Sequence, residues 1–155
     1  DLEKPVARAQ TASFSDQPAT VDGKINWAGF NPTRVAMEKK RNRPVFMDYT
    51  ADWCLNCKTN EKLFIETAAV REALENSGIL AMKADWTNED EGVTQWLTEL
   101  GRSGIPAYVV YYPDGTRNLL PEVITEEMIL GALSVATQKF PRENFRSIEE
   151  ACFSP

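Results

Sequence analysis

Short apolar runs alternate with amphipathic stretches along the chain, and this pattern predicts strands and helices in turn. Strands are predicted where apolar residues cluster: 23–30 (weakly), 45–50, 79–87, 107–112 and 116–120. Helices are predicted over the intervening stretches: 31–43, 55–66 continuing into 68–78, 88–101 and 125–139. The order β-α-β-α-β-α-β-β-α predicts an α/β domain in which helices flank a central mixed sheet with a hairpin at one edge.

Helix boundaries carry local signals that support these assignments. Asn31 and Pro32 suit the cap and first position of a helix, Gly78 suits a helix end, and Thr125 suits a cap. Residues 1–22 are polar without a sustained period and are interpreted as a flexible lead-in or linker. The domain is then predicted over 23–140, and the weakly patterned residues 141–155 are interpreted as a C-terminal tail.

Composition excludes several classes of function. The 155 residues carry a formal net charge of −6, which disfavours a nucleic-acid partner. The chain has no histidine, so the usual general base and the commonest metal ligand are both missing. No apolar stretch is long enough to span a membrane. The first residues do not form a signal peptide and lack an initiating Met, so a mature protein or a piece of a longer one is expected.

The chemistry of the chain is centred on Cys54 and Cys57, which follow a predicted strand in the stretch YTADWCLNCKTNEK. A zinc site would need more ligands than these two and the remaining Cys152. Copper(I) binding and a purely structural bridge stay open as alternatives, although such a short loop constrains the unfolded chain little. Redox exchange fits better, because the N–H groups and dipole at a helix start stabilise a thiolate at Cys54.

Two stretches together, VFMDYTADWCLNCK and SGIPAYVVYYPDG, resemble the thioredoxin superfamily. The ADWCxxCK form, with Glu61 downstream, is most similar to the C-terminal periplasmic domain of DsbD-type and suppressor-of-copper-sensitivity reductases. The resemblance covers roughly residues 25–138 and implies a thioredoxin-like fold. The dipeptide between the cysteines is Leu55-Asn56 instead of Gly-Pro, which leaves the reduction potential undetermined.

The resemblance implies a role for each residue of the site. Cys54 would be the nucleophile and Cys57 the resolving thiol. The acid at Asp48 would have a raised pKa if buried and would accept the Cys57 proton. Glu61, one helical turn past Cys57, would oppose the helix dipole and raise the pKa values of the thiols. Alternatively, Asp48 is a satisfied sheet-end residue and Glu61 a solvated acid.

Substrate recognition is assigned to three further residues on the same resemblance: Trp53, Ile105 and Pro106. Pro106 would follow a cis peptide bond and leave neighbouring backbone exposed for pairing with an extended substrate segment. Trp53 would belong to a docking surface, or else cover the edge of the core. Cys152 is assigned no catalytic role: it would be a free thiol, or pair with another chain or with a missing part of a longer protein.

The favoured function is a thiol:disulfide oxidoreductase domain that accepts electrons from a membrane-embedded cysteine pair and passes them to periplasmic thioredoxin-like proteins. The resemblance implies this direction and a location as a periplasmic domain of an inner-membrane protein. No dissociable cofactor and no metal are expected, because the two cysteines carry both electrons. The alternatives are a free-standing thioredoxin-like general reductase and a non-catalytic module that binds proteins or copper(I).

Overall fold

The computed structural model describes residues 16–153. In chain order it contains a short hairpin of β1 (Thr20–Val21) and β2 (Lys24–Ile25), then β3 (Ala28–Gly29), α1 (Pro32–Lys40), β4 (Val45–Thr50), and α2 (Leu55–Asn60), which runs into a π-helical turn (Glu61–Ile65). There follow α3 (Ala68–Ser77), β5 (Leu80–Asp85), α4 (Glu91–Glu99), β6 (Ala107–Tyr111), β7 (Arg117–Leu119), α5 (Glu126–Lys139), a 3₁₀ turn (Arg142–Asn144) and α6 (Ile148–Phe153).

Five strands form the central mixed sheet in the order β3-β5-β4-β6-β7. The β3–β5 and β4–β5 pairs are parallel, whereas β4–β6 and β6–β7 are antiparallel. Strand β4 is therefore central, and every one of its six residues is buried. Because β4 is the middle strand, the segment that follows it lies near the centre of one end of the sheet.

Both faces of the sheet are covered, as parallel crossovers require. One face carries Phe46, Ala81, Tyr108 and Val110 and packs on apolar side chains of the π-helical turn, α3 and α5, among them Ile65, Leu74, Ile129 and Leu133. The other face carries Met47, Met82 and Val109 and packs on Val93 and Leu97 of α4. Because side chains alternate along a strand, Asp48 and Lys83 lie on the first face, with Tyr108.

Helix starts and ends follow the predicted signals. Asn31 caps α1 by accepting a hydrogen bond from the Arg34 N–H at 3.2 Å, and Thr125 caps α5 in the same way. Gly78 ends α3 in the left-handed conformation, with φ of 73°. Helix α1 ends at Lys40, earlier than the predicted residue 43, because Asn42 takes a positive φ before Pro44.

At both ends of the described chain, the secondary structure differs from the prediction made from the sequence. Within the described part of the lead-in, Thr20–Val21 forms β1, while residues 1–15 lie outside the described residues. After Phe140, where little pattern was found, a 3₁₀ turn and α6 form, and Ala151 is fully buried. Helix α6 has only six residues, too short for a periodic signal, and it is held by non-local packing. The domain bounds themselves stay predictions.

A buried carboxylate on α1, Glu38, contacts three arginines that lie on the same helix or just after it. Its oxygens lie 2.6 Å from Arg34 Nε, 3.0 Å from Arg41 Nη1 and 3.3 Å from Arg43 Nη1. Arg41 also donates to the backbone carbonyl of Arg146, and its own carbonyl accepts the Arg146 N–H. The cluster therefore ties α1 to the C-terminal segment, and Glu38 is its buried counter-charge, while the exposed Asp16 pairs with Arg41 and Arg43 from outside.

Replacing Glu38 with Gln should destabilise the fold by about 3 kcal/mol, because three arginines would then share a site without their buried counter-charge. Urea unfolding at neutral pH measures this change. The matched control is Glu72→Gln on the exposed side of α3, which should stay within about 0.5 kcal/mol of the wild type. Equal stability of the two variants would contradict a structural role for Glu38.

Candidate active site

The two cysteines lie where the chain leaves β4 and begins α2. Cys54 is the N-cap residue of α2, with extended backbone, and its Sγ accepts the Cys57 N–H at 3.2 Å. Cys54 and Cys57 form a disulfide with their Cα atoms 5.3 Å apart. Cys54 is 6% exposed, whereas Cys57 is fully buried. An incoming thiol or disulfide can therefore approach Cys54 and not Cys57.

The loop before β6 lies against this disulfide. The Ile105–Pro106 peptide bond is cis, and β6 begins at the next residue. Ile105 packs against the small buried cluster formed by Ala51, Cys54 and Cys57. Since β6 pairs directly with β4, the sheet itself brings this loop to the end of β4 from which the cysteines emerge.

A pair of acidic side chains comes from β4, which precedes the cysteines, and from the π-helical turn that follows α2. Asp48 is fully buried in β4, and Glu61 is the first residue of the π-helical turn. Lys83, opposite Asp48 on β5, has its Nζ 3.7 Å from Glu61 Oε1 and lies over the Trp27 ring. These contacts place two carboxyls and one ammonium group on the face of the sheet that α2 covers.

Burial raises the pKa of Asp48 well above its usual value, and the charge of Glu61 and a hydrogen bond to it add to the effect, while Lys83 opposes it. Neither Asp48 oxygen accepts a hydrogen bond from a donor among the described residues. When Asp48 carries a proton, its O–H can donate a hydrogen bond to Glu61. The site then buries one negative charge instead of two. The raised pKa of Asp48 therefore favours a proton on this side chain, which lies on the strand that leads to the cysteines.

Trp53 lies on the surface beside Cys54 and is 54% exposed. Its indole N–H donates to the carbonyl of Thr87 at 3.0 Å, and its ring centroid is 6.1 Å from that of Trp86. The loop after β5 therefore holds the indole in place. Leu55, inside the Cys-x-x-Cys segment, is 78% exposed, so Trp53 and Leu55 present apolar surface on either side of Cys54.

The predicted site residues fall into two neighbouring groups, with Cys54, Cys57 and Ile105 in one and Asp48 and Glu61 in the other. Cys152 lies far along the chain in α6, with its side chain partly buried. Sequence reasoning missed Lys83, Asn60 and Tyr108. The cross-strand register that brings Lys83 and Tyr108 beside Asp48 is not visible in sequence. The available signal was a lysine, Lys83, within a mostly apolar predicted strand.

Other features of the described residues do not change this assignment. A cavity of about 360 Å³ between α1, α4 and the β6–β7 hairpin is lined by none of the predicted site residues. Within residues 16–153, no group of three or more Cys, Asp or Glu side chains is arranged to hold a metal ion. No helix in that part of the chain is long and apolar enough to cross a membrane.

The family profile described as Thioredoxin-like matches residues 26–113, more than half of the chain. The chain belongs to the Thioredoxin-like family. The predicted thioredoxin-like fold is confirmed by solved structures that superpose on this chain. The oxidised C-terminal domain of Neisseria meningitidis DsbD superposes with a TM-score of 0.57 at 24% identity, covering 70% of this chain and 99% of that one. A Thermus thermophilus thioredoxin gives 0.57 at 15% identity, covering 76% and 92%.

Among characterised sequences, this Thioredoxin-like chain is similar to thiol:disulfide interchange proteins DsbD. It is 28% identical over 120 residues to that of Ralstonia nicotianae, which covers 76% of this chain and 19% of the relative. Over 76 residues it is 36% identical to that of Pectobacterium atrosepticum, covering 49% and 13%. The chain thus spans about a fifth of the longest-matched relative. These relatives and the Cys54–Cys57 disulfide support thiol:disulfide oxidoreductase activity.

Replacing Asp48 with Asn should change how stability depends on pH. The folded state holds the Asp48 proton to a higher pH than the unfolded chain, whose carboxyl titrates near pH ~4. The wild-type free energy of unfolding should therefore fall as pH rises from about 4 through the raised pKa. The Asn variant should lose this fall and be the more stable protein at alkaline pH. Urea unfolding across pH tests this, with exposed Asp52→Asn as control.

Replacing Glu61 with Gln should lower the pKa of Asp48, because both the charge of Glu61 and its hydrogen bond raise that pKa. Carboxyl carbon chemical shifts followed by NMR through a pH titration measure the change. Exposed Glu72→Gln, on α3, should leave the Asp48 titration unchanged. An Asp48 midpoint that stays the same in the Glu61 variant would show that the two carboxyls do not share a proton.

Proposed function

We propose that this chain is a relay domain that carries electrons by dithiol/disulfide exchange, accepting them from a membrane-embedded cysteine pair and passing them to thioredoxin-like proteins of the periplasm. The observation that carries the proposal is the disulfide at the start of α2, with Cys54 at the surface and Cys57 buried. Similarity to DsbD over about a fifth of that protein's length supports the relay role and the periplasmic location.

In the delivery step, the reduced domain reacts through the Cys54 thiolate, which the start of α2 stabilises. Cys54 Sγ attacks one sulfur of the partner's disulfide, and the other partner sulfur leaves as a thiolate. Asp48 then takes the Cys57 proton, and Cys57 Sγ attacks Cys54 Sγ. The mixed disulfide breaks, the partner gains two electrons as a dithiol, and the Cys54–Cys57 disulfide forms.

In the accepting step the same chemistry runs in reverse. A thiolate of the membrane-embedded pair attacks the accessible Cys54 Sγ, Cys57 leaves as a thiolate, and the Asp48–Glu61 pair supplies the proton that neutralises it. The second thiolate of the membrane pair then attacks its own partner sulfur in the mixed disulfide, and Cys54 leaves as a thiolate. The domain is then a dithiol, and the membrane pair is a disulfide. No dissociable cofactor is needed for either step, because the two cysteines carry both electrons.

Recognition of a thioredoxin-like partner would use the surface around Cys54. Trp53 and Leu55, the neighbours of Cys54 in the chain, expose apolar groups. The Ile105–Pro106 segment packs against the cysteine pair, and its backbone is suited to pair with an extended stretch of the partner. This surface is small and apolar, as expected for a transient electron-transfer encounter. Nucleic acid is not a partner in this proposal, given the net charge of −6.

Replacing Cys57 with Ala should trap partners as mixed disulfides on Cys54, because the resolving thiol is gone. Cys152 is changed to Ser in all variants, so that only one thiol remains. The reduced variant is mixed with oxidised periplasmic extract, resolved on non-reducing gels, and the captured proteins are identified by mass spectrometry. Thioredoxin-like proteins with a Cys-x-x-Cys pair are expected among them.

The matched control is Cys54→Ala with Cys57 intact, which should trap little because Cys57 is fully buried. Insulin disulfide reduction by the wild-type domain, recycled with dithiothreitol, reports the exchange chemistry independently of the partner. Insulin reduction without capture of a thioredoxin-like protein would point to a general reductase instead of a relay. Absence of both would refute exchange at this site.

A further inference from the structure

Tyr108 and Asn60 form a polar contact beside the acidic pair that the proposed exchange steps do not use. Tyr108, on β6, is fully buried and lies directly opposite Asp48 on β4. Cross-strand neighbours on one face have Cβ atoms about 5 Å apart. The Asn60 side-chain amide donates to the Tyr108 hydroxyl oxygen at 3.1 Å. Asn60 is the last residue of α2, three residues after Cys57 and next to Glu61.

The hydrogen bond from Asn60 orients the Tyr108 hydroxyl. A phenol hydroxyl donates one proton, and it accepts through its oxygen. Because Asn60 occupies an acceptor position, the O–H of Tyr108 is directed away from the amide and remains able to donate. The charges of Asp48 and Glu61 both act on this hydroxyl. The oxygens of Asp48 and Glu61 Oε1 accept no hydrogen bond from the described residues, and of these acceptors Asp48 is the one directly opposite Tyr108 on the neighbouring strand.

We infer that Tyr108 is a positioning residue for proton transfer at the cysteine pair: its hydroxyl, oriented by Asn60, donates to the Asp48 carboxylate when Cys57 attacks Cys54. The inference rests on the proposed exchange function. In that step the Cys57 proton moves to Asp48, Cys57 Sγ bonds to Cys54 Sγ, and the partner thiolate leaves with the electron pair of the broken bond. A donor to the carboxylate keeps Asp48 available as the acceptor.

Two charged groups around Asp48 act on it through their charge. Glu61, from the π-helical turn, is a second acid. Lys83, from β5, is directed to Glu61 and to the Trp27 ring. The neighbouring parts of α3 and α5 contribute apolar side chains to this face, including Leu74, Ile129 and Leu133. Tyr108 is thus the neutral hydroxyl that faces Asp48 from the adjacent strand.

The test replaces Tyr108 with Phe in a Cys152→Ser background. The reduced protein is mixed with dithiobis(nitrobenzoate) in a stopped-flow instrument. Attack by Cys54 releases one nitrothiobenzoate, and attack by Cys57 on the resulting mixed disulfide releases a second. The pH midpoint of the second phase should move upward by about one pH unit, which slows that phase about tenfold below the midpoint. The first phase should not change.

Tyr111→Phe is the matched control. It removes a partly buried hydroxyl from the same strand, but on the opposite face, where the group bonds the Tyr49 hydroxyl at 2.6 Å. Its second phase should keep the wild-type pH midpoint. A Tyr108→Phe midpoint equal to that of Tyr111→Phe would overturn the inference. If Tyr108→Phe does not fold, Asn60→Ala, at a half-buried position, should produce a smaller upward shift by releasing the hydroxyl.

Two further measurements separate this inference from the proposed function. In an Asp48→Asn background, Tyr108→Phe should add nothing to the second phase, since the hydroxyl acts through Asp48; an additional slowing would overturn the inference. The Asp48 titration, followed by carboxyl NMR, should move upward in Tyr108→Phe. If the wild type shows no second phase, the proposed function fails, and an unmoved Asp48 midpoint separately rejects the contact.

Discussion

The carboxyl of Asp48 is buried at the centre of the sheet, on the strand that leads to the cysteines, and a buried carboxylate without a donor costs several kcal/mol. The side chains around Asp48 determine how much of that cost remains. Glu61 reaches it from the π-helical turn, and Lys83 and Tyr108 flank it on the neighbouring strands. An apolar residue would pack here without difficulty, so the acid at this position indicates chemistry and not stability.

Stability is supplied from the opposite end of the sheet. There Glu38 and three arginines connect α1 with the start of β4, and Arg41 holds the C-terminal segment through one side-chain and one backbone hydrogen bond to the Arg146 backbone. The Ile25 N–H also bonds the Glu66 carboxylate, which fastens the N-terminal hairpin to the end of the π-helical turn. With both ends of the described chain fixed away from the cysteines, the loops around Cys54 are left accessible to a partner.

The sequence predicted the elements whose signals are local. Strand β4 is a mostly apolar run, and α3 ends at Gly78, which takes the left-handed conformation that glycine favours. The placement of Cys54 at a helix start followed from the same reasoning. Helix α6 and the cross-strand pairing of Tyr108 with Asp48 were not predictable, because both depend on partners more than fifty residues away in the chain. Strand register and docking of a short helix are set by the whole fold.

Two opposing electrostatic environments lie within one turn of α2, and together they order the exchange reaction. At the surface, the helix start favours negative charge on Cys54, so Cys54 is the attacking sulfur in delivery. In the accepting direction Cys54 is the sulfur attacked, because Cys57 is fully buried. Further along, the acidic pair disfavours negative charge on Cys57, so Cys57 reacts only when an acceptor takes its proton. Cys54 is thus the sulfur that bonds the partner both in accepting and in delivering electrons. The net direction must therefore come from the potentials of the two partners, which is the property a relay requires.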